Sequence, residues 1–147
     1  MSALIDADDA TGDLFVYDTD VSAAVQPDPF PEVPKVRATV VKVQKAANTN
    51  SGQPNLRVTL RIDPTDYPAD YSVENAPEGV ALMYFSQDLG NNKVGTWNMK
   101  VLCDKFGVSS AQPIDVNRFV NKEVFIATKH RQVNGETRCN VQDVFPA

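Results

Sequence analysis

This 147-residue sequence predicts a mainly β fold of five strands, with one helix between the third and fourth. Three observations lead there. NLRVTLRI at 55–62 alternates strictly, TWNMKVLCDKFG at 96–107 switches to helical spacing, and Asn134-Gly135 separates two runs with strand character.

The first strand is VRATVVKVQK at 36–45, rich in β-branched residues and ending at the turn-forming cluster AANTNSGQP. In the second, Leu56, Val58, Leu60 and Ile62 lie on one face and Arg57, Thr59 and Arg61 on the other. That is a half-buried strand with a basic outer side. The two form a hairpin with its loop at about 46–54, and the long loop DPTDYPADYSVENAPEG leads to the third strand, VALMYF at 80–85.

In the helix, Trp97, Val101, Leu102, Cys103 and Phe106 recur at helical spacing and Gly107 supplies the stop. Trp97 is expected in the core with Val101 and Leu102. A fourth strand begins near Glu123, and ETRCNVQDVF makes a fifth. Three strands, a helix and two strands is the order of the Greek-key barrel called the oligonucleotide/oligosaccharide-binding (OB) fold, although mixed α+β folds share it. The OB fold presents nucleic acid to the face of strands two and three and to the loops joining strands one to two and four to five. Here the four-to-five loop is the Asn-Gly hairpin.

The formal net charge of -5 is unevenly placed. Residues 1–34 hold Asp6, Asp8, Asp9, Asp13, Asp18, Asp20, Asp28 and Glu32 with no Lys or Arg, a charge of -8; residues 35–147 hold 14 basic and 11 acidic residues, a charge of +3. Such asymmetry points to a nucleic-acid partner or an interaction tail. We therefore expect an acidic N-terminal arm, 1–34, closed by the proline-rich spacer PDPFPEVP, and a binding domain from 35 to 147. Within the arm, LFVY at 14–17 is an apolar island among aspartates. Asp6, Asp8, Asp9, Asp13, Phe15 and Tyr17 are its candidate contacts, for a partner or for the body itself; the alternative is a solvated tail.

The acidic amino terminus does not read as a secretory signal, and no apolar run reaches membrane-spanning length, so an intracellular protein without a membrane partner is expected. Cys103 and Cys139, with one histidine in the chain, make neither a disulfide framework nor a zinc cluster. No Ser-His-Asp order, paired-carboxylate motif, phosphate-cradling glycine loop or metal motif occurs, and the aspartates of DPTDYPAD read as turn residues. The expectation is a non-enzyme with no cofactor or metal.

An Asn-Gly turn needs positive φ at both positions and fixes the pairing across it. Gln132 then faces Thr137, Arg131 faces Arg138, His130 faces Cys139, and Lys129 faces Asn140. Phe125, Lys129, Arg131 and Arg138 share the outer face; His130 falls on the core side as a packing histidine. Arg131 opposite Arg138 is unfavourable unless an anion lies between them, either a phosphate or Glu136 on the diagonal. With Arg57, Arg61 and Arg37 these residues can form one basic track. Single-strand binding also needs aromatic faces on which bases stack. Candidates are Tyr84 or Phe85, Phe125, and the loop residues Tyr67 and Tyr71; core packing is the competing role for Phe85 and Phe125, and pinning of the long loop for the tyrosines.

The helix WNMKVLCDKFGV and the ending VNKEVFIATKHRQVNGETRCNVQDVFPA resemble a phage-encoded family of small proteins from replication and recombination modules, likened to single-stranded DNA-binding proteins. The shared features fall on Trp97, Lys100, Leu102 and Gly107, then on Lys122, Glu123, His130, Asn134, Gly135, Glu136, Val141, Phe145 and Pro146, with Asn121 where the family usually has glycine. The resemblance covers roughly residues 36–147 and leaves the arm unexplained. It implies an OB-fold barrel that coats single-stranded DNA without sequence preference in the cytoplasm of a bacterial host. A phage or host polymerase, helicase or recombinase would be its protein partner. The competing expectation is a protein-interaction or structural phage component whose contact is the arm.

Overall fold

The computed structural model describes residues 13–147. Five antiparallel strands, β1 (Val36–Ala47), β2 (Pro54–Ile62), β3 (Val80–Phe85), β4 (Glu123–Val133) and β5 (Glu136–Pro146), form one open sheet in the order β3-β2-β1-β4-β5, with one helix, α1 (Lys93–Phe106), between β3 and β4. The sheet curls until its two edges, β3 and β5, face each other across a cleft lined by both. Bulges assist the curl: Val41 is the extra residue of β1 against β2, and Gln142 that of β5 against β4. An inserted residue increases local twist and bends its strand.

Alternation decides which side is core. Leu56, Val58, Leu60 and Ile62 of β2 are buried, as are Val36, Ala38 and Val40 of β1 and Val124 and Ile126 of β4. Leu102, Cys103 and Phe106 of α1 pack against them, and Phe106 meets Phe119 edge-on at 5.5 Å. The helix starts where Asn92 accepts a hydrogen bond from the Gly95 N–H at 2.8 Å and stops at Gly107, whose φ of 67° is left-handed. Trp97 departs from the expected core position and is 61% exposed. At about 100° per residue, the nine positions from Trp97 to Phe106 turn about 180°, so the tryptophan lies opposite the buried line.

The β4–β5 turn has φ of 53° at Asn134 and 77° at Gly135, and the register pairs Arg131 with Arg138 and His130 with Cys139, as turn symmetry requires. Asn121 has φ of 71°, a left-handed position of the kind that favours glycine or asparagine.

The end of the arm is packed into the body. Phe30 is 2% exposed and sits in the core, with ring centroids 5.2 Å from Tyr71 and 5.9 Å from Tyr67. The Thr128 N–H donates to the Val33 carbonyl (2.9 Å), the Val33 N–H to Thr128 Oγ1 (2.9 Å), and Thr128 Oγ1 to the Pro31 carbonyl (2.7 Å). His130 donates its backbone N–H to Glu32 Oε2 (2.7 Å), and its Nε2 lies 2.8 Å from the Phe30 carbonyl. Residues 30–33 thus run beside β4 where β1 has not yet begun. The spacer expected there is instead part of the folded unit, because one apolar ring between prolines finds a slot that only the long loop and β4 together create.

Candidate nucleic-acid interface

The cleft between β3 and β5 has a volume of about 840 Å³. On β3, Val80, Leu82 and Tyr84 point inward while Ala81, Met83 and Phe85 point outward, as their partners on β2 dictate. Phe85 is 56% exposed, and the Arg57 guanidinium of β2 lies 5.7 Å from its ring centroid. Such a cation over a ring face is worth about 0.5–1 kcal/mol at an exposed site. Arg57 makes no ion pair among the described residues, and its Nε, shielded from solvent, has no hydrogen-bond partner.

Arg131 and Arg138 line the opposite wall. Glu136, expected diagonally beside Arg131, instead reaches along its own strand to Arg138, with Oε2 at 4.0 Å from Nη2, and accepts a hydrogen bond from Gln26 Nε2 at 3.2 Å. That pair is at the outer limit of contact and exposed, so it offsets little of the repulsion across the strands. Among the described residues Arg131 has no acidic partner. Lys105 and Asp143 close one end of the cleft with a 2.8 Å ion pair. The Lys105 hydrogen bond holds the Asp143 carboxyl below the usual carboxylate range. Burial pulls the Lys105 ammonium down, but Asp143 and Tyr84 outweigh it and the group ends above its ordinary value.

The remaining expected site residues are spread around the sheet. Tyr84 is inward and half-buried, 6.0 Å from Phe106, with part of it exposed in the cleft. Arg61 is committed to the long loop. Its Nε and Nη2 donate to the Glu78 carbonyl at 3.2 and 2.8 Å, and its Nη1 contacts Asp63 Oδ2 at 3.2 Å. The Asp63 carboxyl is held low by the Thr65 N–H and hydroxyl and then by Arg61. Arg37 pairs with Glu123 at 3.5 Å and lies 5.9 Å from the Phe125 ring, over which Lys35 Nζ sits at 4.3 Å. Since β1 is the middle strand of five, this Lys35, Arg37 and Phe125 group lies on the back of the curled sheet, away from the cleft. Lys129 is exposed beside Glu32 and Pro34, also outside the cleft. The structure therefore brings Phe85, Arg131 and Arg138 to one cleft, with Arg57 beside Phe85, and places Arg37, Arg61, Phe125 and Lys129 outside its lining.

Tyr67 and Tyr71 pin the long loop: their rings meet edge-on at 5.0 Å, and their hydroxyls donate to the Ala76 carbonyl (2.6 Å) and the Asp28 carbonyl (3.1 Å). In the arm, Asp13 is exposed, as are Phe15 at 67% and Tyr17 at 50%; Asp6, Asp8 and Asp9 fall outside the described residues. Sequence reasoning missed Trp97 as a surface residue, although centring the helical wheel on Leu102, Cys103 and Phe106 reveals it.

Among the described residues no group of three or more His, Cys, Asp or Glu side chains is placed to hold a metal ion, and no helix is long and apolar enough to cross a membrane. No protein-family model matches the chain, and no curated protein matches it.

Proposed function

We propose that the chain is an OB-fold protein, phage-encoded, that binds single-stranded DNA without sequence preference and coats it during replication or recombination in a bacterial host. The observation that carries this reading is the β3–β5 cleft, where exposed Phe85 lies beside Arg57 and faces Arg131 and Arg138. An aromatic face accepts any base, and guanidiniums without a close acidic partner accept phosphates, so the combination suits a strand read by its backbone and its π-surfaces. The strand order, with β3 and β5 brought edge to edge, supports a barrel of the OB type. No step of this function makes or breaks a covalent bond, so the reading is of a non-enzyme.

Titration of oligo-dT and of duplex DNA at about 50 and 200 mM salt tests it. The expected result is tighter binding to oligo-dT, with affinity falling as salt rises by about 0.7 log units per log unit of salt for each phosphate neutralised. Equal binding to both DNAs, or none, refutes it.

A second reading rests on Leu14, Phe15, Val16 and Tyr17, all at least half exposed. Such a quartet flanked by aspartates suits a protein groove with a basic rim, as on a polymerase, helicase or recombinase. An Arg131→Ala, Arg138→Ala chain separates the two readings. Lost DNA affinity with intact folding supports the cleft, and unchanged affinity favours the arm as the principal contact.

A further inference from the structure

The cleft that carries the proposed function does not end at Phe85. A second cleft of about 260 Å³, between β3 and α1, shares Tyr84, Gln87 and Lys105 with it and is bordered on its far side by Trp97. The two clefts adjoin at those three residues, over the end of β3. Trp97 is 61% exposed, and Lys100 Nζ lies 5.7 Å from the indole centroid.

A large exposed ring costs nothing to leave in place only if it is held still; otherwise binding must order it. Trp97 sits on a helix turn that is fixed twice over. Asn98 donates from Nδ2 to the Asp88 carbonyl at 2.8 Å, tying the helix to the connection after β3. Gly95 lies so close to Gly90 that any Cβ there would overlap the Gly90 carbonyl oxygen. The backbone beneath the indole is therefore clamped to the segment that follows Phe85. Apart from the indole, the partner of Lys100 among the described residues is Asp104, 3.2 Å away and one turn on, in an exposed pair. A phosphate displaces such a carboxylate at little cost, because exposed pairs one helical turn apart contribute only about 0.3–0.5 kcal/mol.

We infer that the DNA strand held at Phe85 continues through the adjoining clefts onto α1, with a base stacked on Trp97 and its phosphate on Lys100. This rests on the proposed single-strand function and extends it to a second stacking position. A nucleic acid fits the two clefts better than an apolar peptide because cations stand beside an aromatic face at each end, Arg57 at Phe85 and Lys100 at Trp97, with Arg131 and Arg138 on the facing wall.

Trp97 is the sole tryptophan, so the intact chain reports on its own indole. End-labelled oligo-dT is titrated while oligonucleotide anisotropy and protein emission are read together. The expected result is quenching of tryptophan emission that saturates with the anisotropy signal. Trp97→Ala should weaken binding about 5- to 150-fold, the range expected for one stacked base, and Trp97→Phe should recover most of it. Both variants should keep the urea midpoint of the parent chain. Binding that leaves emission unchanged, with Trp97→Ala at parental affinity, overturns the extension while the β3–β5 site stands. Absence of any oligo-dT binding overturns both.

Discussion

Replacing Phe30 by alanine is the sharpest test of where the folded unit begins. The ring is 2% exposed, fills a slot between Tyr67, Tyr71 and β4, and meets Tyr71 edge-on and Tyr67 at a tilt. Phenylalanine-to-alanine changes in a core cost about 3–5 kcal/mol, with the larger values where neighbours cannot collapse into the space. Here they are restrained, since the Tyr67 and Tyr71 hydroxyls are tied to the Ala76 and Asp28 carbonyls. The upper half of that range is expected, a large part of the about 5–15 kcal/mol that holds a domain folded. At a urea slope of about 2 kcal/mol per M, the midpoint should drop by about 2 M. The melting temperature should fall by about 10–20 °C. Phe15→Ala is the control: at 67% exposure it should change stability by no more than about 0.5 kcal/mol. A loss below about 1 kcal/mol for Phe30→Ala, or equal losses for the two variants, would refute the placement of residues 30–33 in the body.

Three further outcomes are expected. Changing both Arg131 and Arg138 to alanine should flatten the salt dependence of oligo-dT binding by about 1.4 in log-log slope, two phosphates' worth. It should also leave folding unchanged or improved by a few tenths of a kcal/mol, because like charges directly opposite are relieved; urea melts and salt titrations check both parts. Asn121, at φ of 71°, should accept glycine without loss and lose about 1–2 kcal/mol as Asn121→Val, read by thermal melts. Because Lys105 lowers the Asp143 carboxyl relative to the unfolded chain, that pair contributes stability above the unfolded aspartate value of about 3.9 and loses it as pH falls through the lower folded value. Lys105→Met should therefore be less stable at pH 7 yet decline less between pH 5 and pH 3; equal acid slopes would contradict the pairing.

The strands and the hairpin register were legible because local rules determine them. Period-two alternation orients β2, and two left-handed positions at Asn134-Gly135 leave one pairing for β4 with β5. The left-handed backbone at Asn121 was not legible, since a lone asparagine before a strand fits a turn or a strand start equally well. Phe30 was not legible, since a lone ring among prolines carries no periodicity and its partners are distant in the chain. Arg61 shows the limit of face assignment: alternation placed it outward, but only the path of the long loop reveals that Glu78 and Asp63 take up its guanidinium. The basic track likewise read as one because alternation says nothing about how far a sheet curls, and curling sets Arg37 and Phe125 behind Arg131 and Arg138.

The hydrogen bonds that fasten residues 30–33 to β4 also set a timetable. They join positions 95 to 100 residues apart, about two thirds of the chain's length. At a synthesis rate of about 5–20 residues per second, Phe30 leaves the ribosome about 5–20 s before the strand that covers it. Closing so long a loop also places folding toward the slow end for small domains. The acidic residues around Phe30 then have a use before the molecule is finished, keeping an uncovered aromatic in solution until β4 arrives.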